Sequence, residues 1–255
     1  MSGLGSKARC VDTALAPLTA PISRPILFSG PMVRALLAGT KTQTRRALKH
    51  QPIDIIPMPK EPDRQWVILK QREPEPKGKV VRCRFGVPGD LLWVRETWAH
   101  VPIRGSDGGQ GDEMGPIYRA DGEEAFKDFT GPWRPSIFMP RKYSRITLRI
   151  TDVRVERLQK ITETDAAAEG VYRDEDRPEE RRKGAFCPNC ADTGLNMGVD
   201  PGSGGAQFDT DCTDCDSYVK RYRWLWDSIN GPNSWASNPW VWAVLFERAE
   251  KKAGS

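Results

Sequence analysis

The chain has 255 residues, enough for one substantial core or for one domain with an insertion. Charged residues make up 29% of it and hydrophobic residues 38%, an ordinary composition for a soluble protein, and no apolar run approaches the length that spans a bilayer. The formal net charge of +5 admits nucleic acid as a partner without saying where the cations cluster.

Residues 1–24 are small, polar and broken by proline, and they lack the uninterrupted apolar stretch of a signal peptide. They are expected to form a disordered extension on a cytoplasmic protein. Pro25-Ile26-Leu27-Phe28 reads as a short strand. Ser29-Gly30-Pro31 then starts a helix, with a hydroxyl to cap it and a proline suited to its first turn. Met32, Val33, Leu36 and Leu37 give that helix an apolar face, and Gly39 ends it.

Lys41-Thr42-Gln43-Thr44-Arg45-Arg46 follows, with no acidic neighbour to neutralise its three cations. If extended, it puts Lys41, Gln43 and Arg45 on one face and Thr42, Thr44 and Arg46 on the other. A tight turn after Gly39 would instead bring Lys41 beside Thr44. The spacing admits both, and a solvated basic loop is the plain alternative.

Residues 50–80 are rich in proline and charge, a surface excursion with one strand around Trp66-Val67-Ile68-Leu69. Leu91-Leu92-Trp93-Val94 is apolar on both faces, as a buried strand requires. Residues 102–135 show little regularity. From Ser144 to Leu158 apolar residues alternate, and the parity slips at Thr151-Asp152, which predicts a bulge or tight turn. Thr162 is placed to cap a short helix that Gly170 stops. Glu169 at its end opposes the helix dipole, which suits an exposed surface or a facing cation. A helix over residues 217–229 has Tyr218, Tyr222, Leu225, Trp226 and Ile229 on one face and ends at Asn230-Gly231-Pro232. Trp240 to Phe246 reads as a central strand. Several short strands with few helices predict an α+β fold around a small barrel.

Cys187-x-x-Cys190 and Cys212-x-x-Cys215, with 21 residues between the pairs, supply four thiolates in zinc-ligand spacing. Four sulfur ligands close the site, so the zinc would be structural. Two disulfides are disfavoured in a reducing compartment, and redox-active thiols usually come as a single pair. Cys10 and Cys83 read as a tail thiol and a packed one.

Gly39-x-Lys41-x-x-Thr44-x-Arg46 resembles the signature of the ASCH superfamily, whose fold is a PUA-like β-barrel. Pro25–Ala35, Gly89–Trp98, Pro135–Arg141, Leu225–Gly231 and Asn238–Trp242 resemble the larger ASCH-domain proteins of phages and prophages. The resemblance implies an ASCH domain over 25–172 plus 218–247. An inserted zinc-binding segment would cover 173–217 and a tail 248–255.

A bacterial branch of the family hydrolyses N4-acetylcytidine, and its catalytic lysine, threonine and glutamate map onto Lys41, Thr44 and Glu169. The resemblance then implies an amidohydrolase acting on an N4-acylated or otherwise modified cytosine, in a nucleoside or in RNA or DNA. Arg46 would bind a carbonyl or phosphate, and Trp93 and Trp133 would stack on the base, although nine tryptophans also serve a core. Two other functions stand beside it. One is a non-catalytic reader in which Arg141, Lys142, Arg145 and Arg149 track phosphates. The other, ranked lowest, is a nuclease, for which the sequence lacks the carboxylate cluster that metal-assisted cleavage needs. On this reading Lys41→Ala removes activity and hardly changes stability.

Overall fold

The computed structural model describes residues 20–57, 66–71, 77–104, 110–127, 129–171, 195–199, 207–211, 214 and 216–249. In chain order the elements are β1 (Ser23–Leu27), α1 (Gly30–Leu37), β2 (Gln43–Ala47), β3 (Asp54–Pro57), β4 (Trp66–Gln71) and β5 (Lys77–Val81). Then come β6 (Leu91–Arg95), β7 (Trp98–Arg104), β8 (Gln110–Tyr118), β9 (Thr147–Arg157) and α2 (Glu163–Ala168). The chain continues through β10 (Leu195–Val199), β11 (Gln207–Asp211), α3 (Tyr218–Asn230) and β12 (Trp240–Arg248).

The protein is α+β. Its centre is a five-stranded mixed sheet in the order β1-β6-β9-β12-β2, with β1 parallel to β6 and the other pairings antiparallel. The parity slip in the sequence is a bulge: Leu245 pairs with Asp152 and Phe246 with Ile150, so Thr151 is skipped and β9 continues as one strand.

β12 holds two cores apart. Trp242, Val244 and Phe246 join Ile26, Phe28, Val33, Leu36, Leu92, Leu148 and Val153 on the side closed by α1. Val241 joins Leu158, Ile161, Ala166, Tyr222, Leu225 and Trp226 beneath α2 and α3. A strand covered on both faces must be apolar at successive positions, and Val241 to Val244 are all buried. Each fully buried valine or leucine of this set contributes about 1.5–3 kcal/mol.

Among the described residues no strand pairing closes the expected barrel. Arg46 on β2 donates from Nη2 to the Leu27 carbonyl on β1 at 2.6 Å, so one side chain spans the two edges of the sheet. The capping hydroxyl expected of Ser29 makes no cap bond, and Pro31 sits in the first turn of α1. Two regions differ from the sequence reading. Among the described residues, β3, β4 and β5 pair as a three-stranded antiparallel sheet, and β7 and β8 form an antiparallel pair. Prolines and glycines interrupt any alternation there, so backbone pairing leaves no period in the sequence. In the segment expected to insert, β10 and β11 pair antiparallel, with Leu195 opposite Asp211.

Candidate functional site

Two turns build the site. Gly39, at φ +75°, takes a left-handed conformation that a Cβ would strain, and lets the chain double back so that the Thr40 and Lys41 amides both bond the Ala35 carbonyl. Gly170, at φ +83°, ends α2, and a Cβ there would lie 2.9 Å from the Ala35 Cβ and 3.1 Å from the Lys41 Cβ. At that close approach Lys41 and Glu169 form a one-residue antiparallel bridge, while the Thr42 amide bonds the Ala168 carbonyl at 2.9 Å. Residues 41–46 thus run extended. Gln43 and Arg45 face α2, and Thr44 and Arg46 lie on the opposite face.

Both side chains of the bridge are out of water. The Lys41 ammonium, fully buried, donates to Glu169 Oε2 at 2.9 Å and to the Glu169 carbonyl at 2.8 Å. Arg45, equally buried, reaches Glu169 Oε1 at 3.3 Å, Asp165 Oδ2 at 3.0 Å and Glu156 Oε1 at 2.6 Å. Arg154 closes the network on Asp165 at 3.1 Å. The carboxylate at the end of α2 therefore faces two cations, which answers the dipole conflict seen in the sequence.

Burial pushes the Lys41 ammonium below its ordinary value, and Glu169 only partly restores it. Burial alone would raise the Asp165 carboxyl, but Arg45 and Arg154 outweigh it and hold that group below the ordinary range. Burial, helped by Glu169, keeps the Tyr222 phenol well above its ordinary value and therefore protonated.

Beside this network, at the free edge of β2, lies a cavity of about 30 Å³. Its wall includes Thr44, Arg46, Glu169, Tyr222 and Trp226. Thr44 and Glu169 thus share a wall, with Lys41 hydrogen-bonded to the second of them. No Lys41 hydrogen bond to Thr44 is formed; both ammonium bonds described above go to Glu169. Two wall residues carry buried N–H groups, Arg46 Nε and Trp226 Nε1, that find no partner among the described residues.

The other expected substrate contacts are placed apart from this wall. Trp93 is buried on β6, with Arg95 at 4.7 Å and the exposed Arg141 at 5.8 Å from its ring centre. Trp133 packs edge-on against Phe126 and Phe129. Arg145 is committed inside the fold, to Glu96 at 2.9 Å and Asp121 at 2.6 Å, and lies over the Tyr118 ring. Burial raises the Glu96 carboxyl above the usual range, with Arg145 opposing. Arg149 faces Glu247 at 3.9 Å. Residues 141–149 therefore do not form the continuous phosphate track expected of them. Arg141 and Lys142 lie in a single 3-10 turn, and Arg145 is a structural cation.

The expectation of a structural zinc is corrected. Among the described residues no group of three or more His, Cys, Asp or Glu side chains is placed to hold a metal ion. Cys187, Cys190, Cys212 and Cys215, like Cys10, lie outside the described residues. Cys83 is free and buried, and burial pushes its thiol up to about 11.

Sequence reading missed Arg45, Glu156, Asp165 and Arg154, which hold Glu169 and Lys41 in place. It took Tyr222 and Trp226 for core alone. The one available signal was Arg45 itself, a third cation amid residues read as functional. No family model matches the chain, and neither a curated protein nor a solved structure matches it.

Proposed function

We propose that the chain is an ASCH-type protein that hydrolyses an N4-acylated cytosine, in a nucleoside or in a nucleic acid strand. The observation that carries this reading is that Lys41 and Glu169 pair in a dry site whose cavity wall includes Thr44. Desolvation lowers the ammonium's pKa, the change a lysine needs to act as a base near neutrality.

In the reaction, the Lys41 ammonium first gives one proton to the Glu169 carboxylate it is bonded to, and the neutral amine then has to swing off Glu169 to take the Thr44 proton. The Thr44 oxygen adds to the acyl carbon. The C–N bond then breaks as the exocyclic nitrogen receives that proton, leaving cytosine and an acyl ester on Thr44. Water cleaves the ester to a carboxylic acid and restores the hydroxyl. Glu169 returns its proton to the lysine after each transfer, and Arg46, a residue of the same wall as Thr44, supplies positive charge where negative charge builds on the acyl oxygen.

The test uses N4-acetylcytidine, free and within an oligonucleotide, with release of the unmodified base as readout. Wild type is expected to release it, and Thr44→Val, nearly equal in volume, to be slower by about two to four orders of magnitude. Folded wild type that releases nothing from either substrate rejects the proposal.

A second reading, a module that binds single-stranded nucleic acid without chemistry, has its own observation. Phe138 and Ile137, 69% and 57% exposed, stand on a 3-10 turn between Pro135 and Pro140. Buried Met139 anchors that turn by accepting the Glu96 amide on Sδ at 3.3 Å. Arg134 lies over Trp98, Arg141 and Arg95 over Trp93, and Lys142 over Tyr143. Exposed Phe138 offers a face on which a base can stack, and the cations over the covered rings of Trp93, Trp98 and Tyr143 offer charge to phosphates.

A further inference from the structure

We propose that Arg45 is a positioning residue for the acyl transfer, holding one oxygen of Glu169 so that the other stays in place to take the Lys41 proton and return it. Its side chain is fully buried, so it acts on a substrate only through Glu169. Along the extended run 41–46, Lys41, Gln43 and Arg45 share one face, and all three reach α2 or its end. Two of them divide the Glu169 carboxylate. Lys41 Nζ donates to Oε2 at 2.9 Å and Arg45 Nη1 to Oε1 at 3.3 Å.

The reaction treats these two bonds differently. The lysine has to leave Oε2 to reach Thr44, whereas no step requires Arg45 to move. Arg45 can stay because it is anchored elsewhere. Nε and Nη2 both donate to Glu156 Oε1, at 3.1 and 2.6 Å, and Nη2 also reaches Asp165 Oδ2 at 3.0 Å. Asp165 is fixed in turn by Arg154 on Oδ1 at 3.1 Å and by Gln43 on its carbonyl at 2.6 Å. A planar guanidinium fork serves several carboxylates at once in a fixed geometry, which a point ammonium cannot do. One grip on Glu169 thus survives each departure of the lysine.

The charge of Arg45 also reaches Lys41. Burial lowers the ammonium's pKa most, Glu169 raises it, and Arg46 and Arg45 lower it further. Around Arg45 itself stand Glu169, Glu156, Asp165 and Tyr222, whose phenol stays protonated. Removing the Arg45 charge therefore raises the lysine's pKa. Removing Glu156, which partly neutralises Arg45, lowers it. A variant that merely loosens the packing admits water and raises it in both cases. The role in the reaction rests on the hydrolase reading; the hold on the lysine does not.

The experiment measures kcat and KM for N4-acetylcytidine against pH in the full chain, with Arg45→Met, Arg45→Lys and Glu156→Gln beside wild type. In wild type the rate rises with pH as Lys41 loses its proton. That rise is expected to move up by about one pH unit in Arg45→Met and down by roughly half a unit in Glu156→Gln. Arg45→Lys should keep the rise in place and lose roughly tenfold in kcat with KM unchanged, since the charge remains and the fork is gone. Shifts of the same sign in Arg45→Met and Glu156→Gln, or an Arg45→Lys as fast as wild type, overturn the proposal. Arg45→Met leaves Glu156, Asp165 and Glu169 without their shared partner. Should it fail to fold, the downward shift in Glu156→Gln and the kcat of Arg45→Lys decide the matter. The 13Cε resonance of Lys41, assigned by its loss from the paired Lys41→Met, Glu169→Leu variant, reads the same shifts without substrate. Opposed shifts of that resonance with no turnover by wild type keep the hold of Arg45 on the lysine and reject the hydrolase; turnover with shifts of one sign does the reverse.

Discussion

At the scale of single residues, burial changes what the signature lysine is worth. Read as a pocket cation, Lys41 is dispensable for stability. In the fold its ammonium is fully buried against Glu169, and Lys41→Ala leaves that carboxylate with Arg45 alone. Breaking one side of a buried pair typically costs about 3–5 kcal/mol. Urea unfolding of Lys41→Ala should therefore show a large loss, and Lys41→Met with Glu169→Leu should recover most of it. Equal midpoints for wild type and Lys41→Ala would contradict the burial. Asp165 makes a separate prediction. Its folded pKa is depressed, so its contribution is complete above the ordinary aspartate value and is lost as pH falls through the lowered one. Asp165→Asn should flatten that acid limb of a stability-against-pH curve while leaving the alkaline limb unchanged.

At the scale of elements, the bridge between the start of β2 and the end of α2 depends on Gly170. Its positive φ and the 2.9 Å approach to Ala35 leave no room for a methyl group. Gly170→Ala should cost on the order of 1–3 kcal/mol through backbone strain and must displace Ala35 or Lys41. Thermal unfolding gives the first effect, and slower N4-acetylcytidine turnover gives the second. Gly39, whose Cβ would meet nothing within 4 Å, should show the strain alone when replaced by alanine. A Gly170→Ala variant as stable as wild type would show that the two elements do not meet as closely as described.

At the scale of the molecule, the positive charge is unevenly employed. Arg45, Arg145 and Arg154 are held by carboxylates, whereas Arg134, Arg141 and Lys142 lie over the rings of Trp98, Trp93 and Tyr143. If a strand is bound there, replacing Arg134 or Arg141 by glutamine should reduce the slope of log affinity against log salt by about 0.7 per contact. Arg145→Gln should instead lower stability, since it leaves Glu96 buried without its partner. Single-stranded oligonucleotide binding across a salt series measures the first, and denaturant unfolding the second. Among the described residues no helix is long and apolar enough to cross a membrane.

The sequence by itself determined the elements whose burial leaves a period. The apolar stripe of α3, the doubly covered β12, the cap at Thr162, the stops at Gly39 and Gly170 and the slip at Thr151 are all legible, because each is local geometry written in residue type. The sheet β3-β4-β5 and the pair β7-β8 are not, since their pairing rests on backbone hydrogen bonds that any side chain can accompany. The candidate site divides in the same way. Lys41, Thr44 and Glu169 were singled out by motif, yet Lys41 and Glu169 are 128 residues apart and meet only because two left-handed glycines let two chain segments pass within contact. Whether a cation is a ligand contact or a strut is likewise invisible in its letter. Arg141 and Arg145 read alike, and the tertiary structure alone places Glu96 and Asp121 against one and open surface over the other, because charge acts through space and not along the chain.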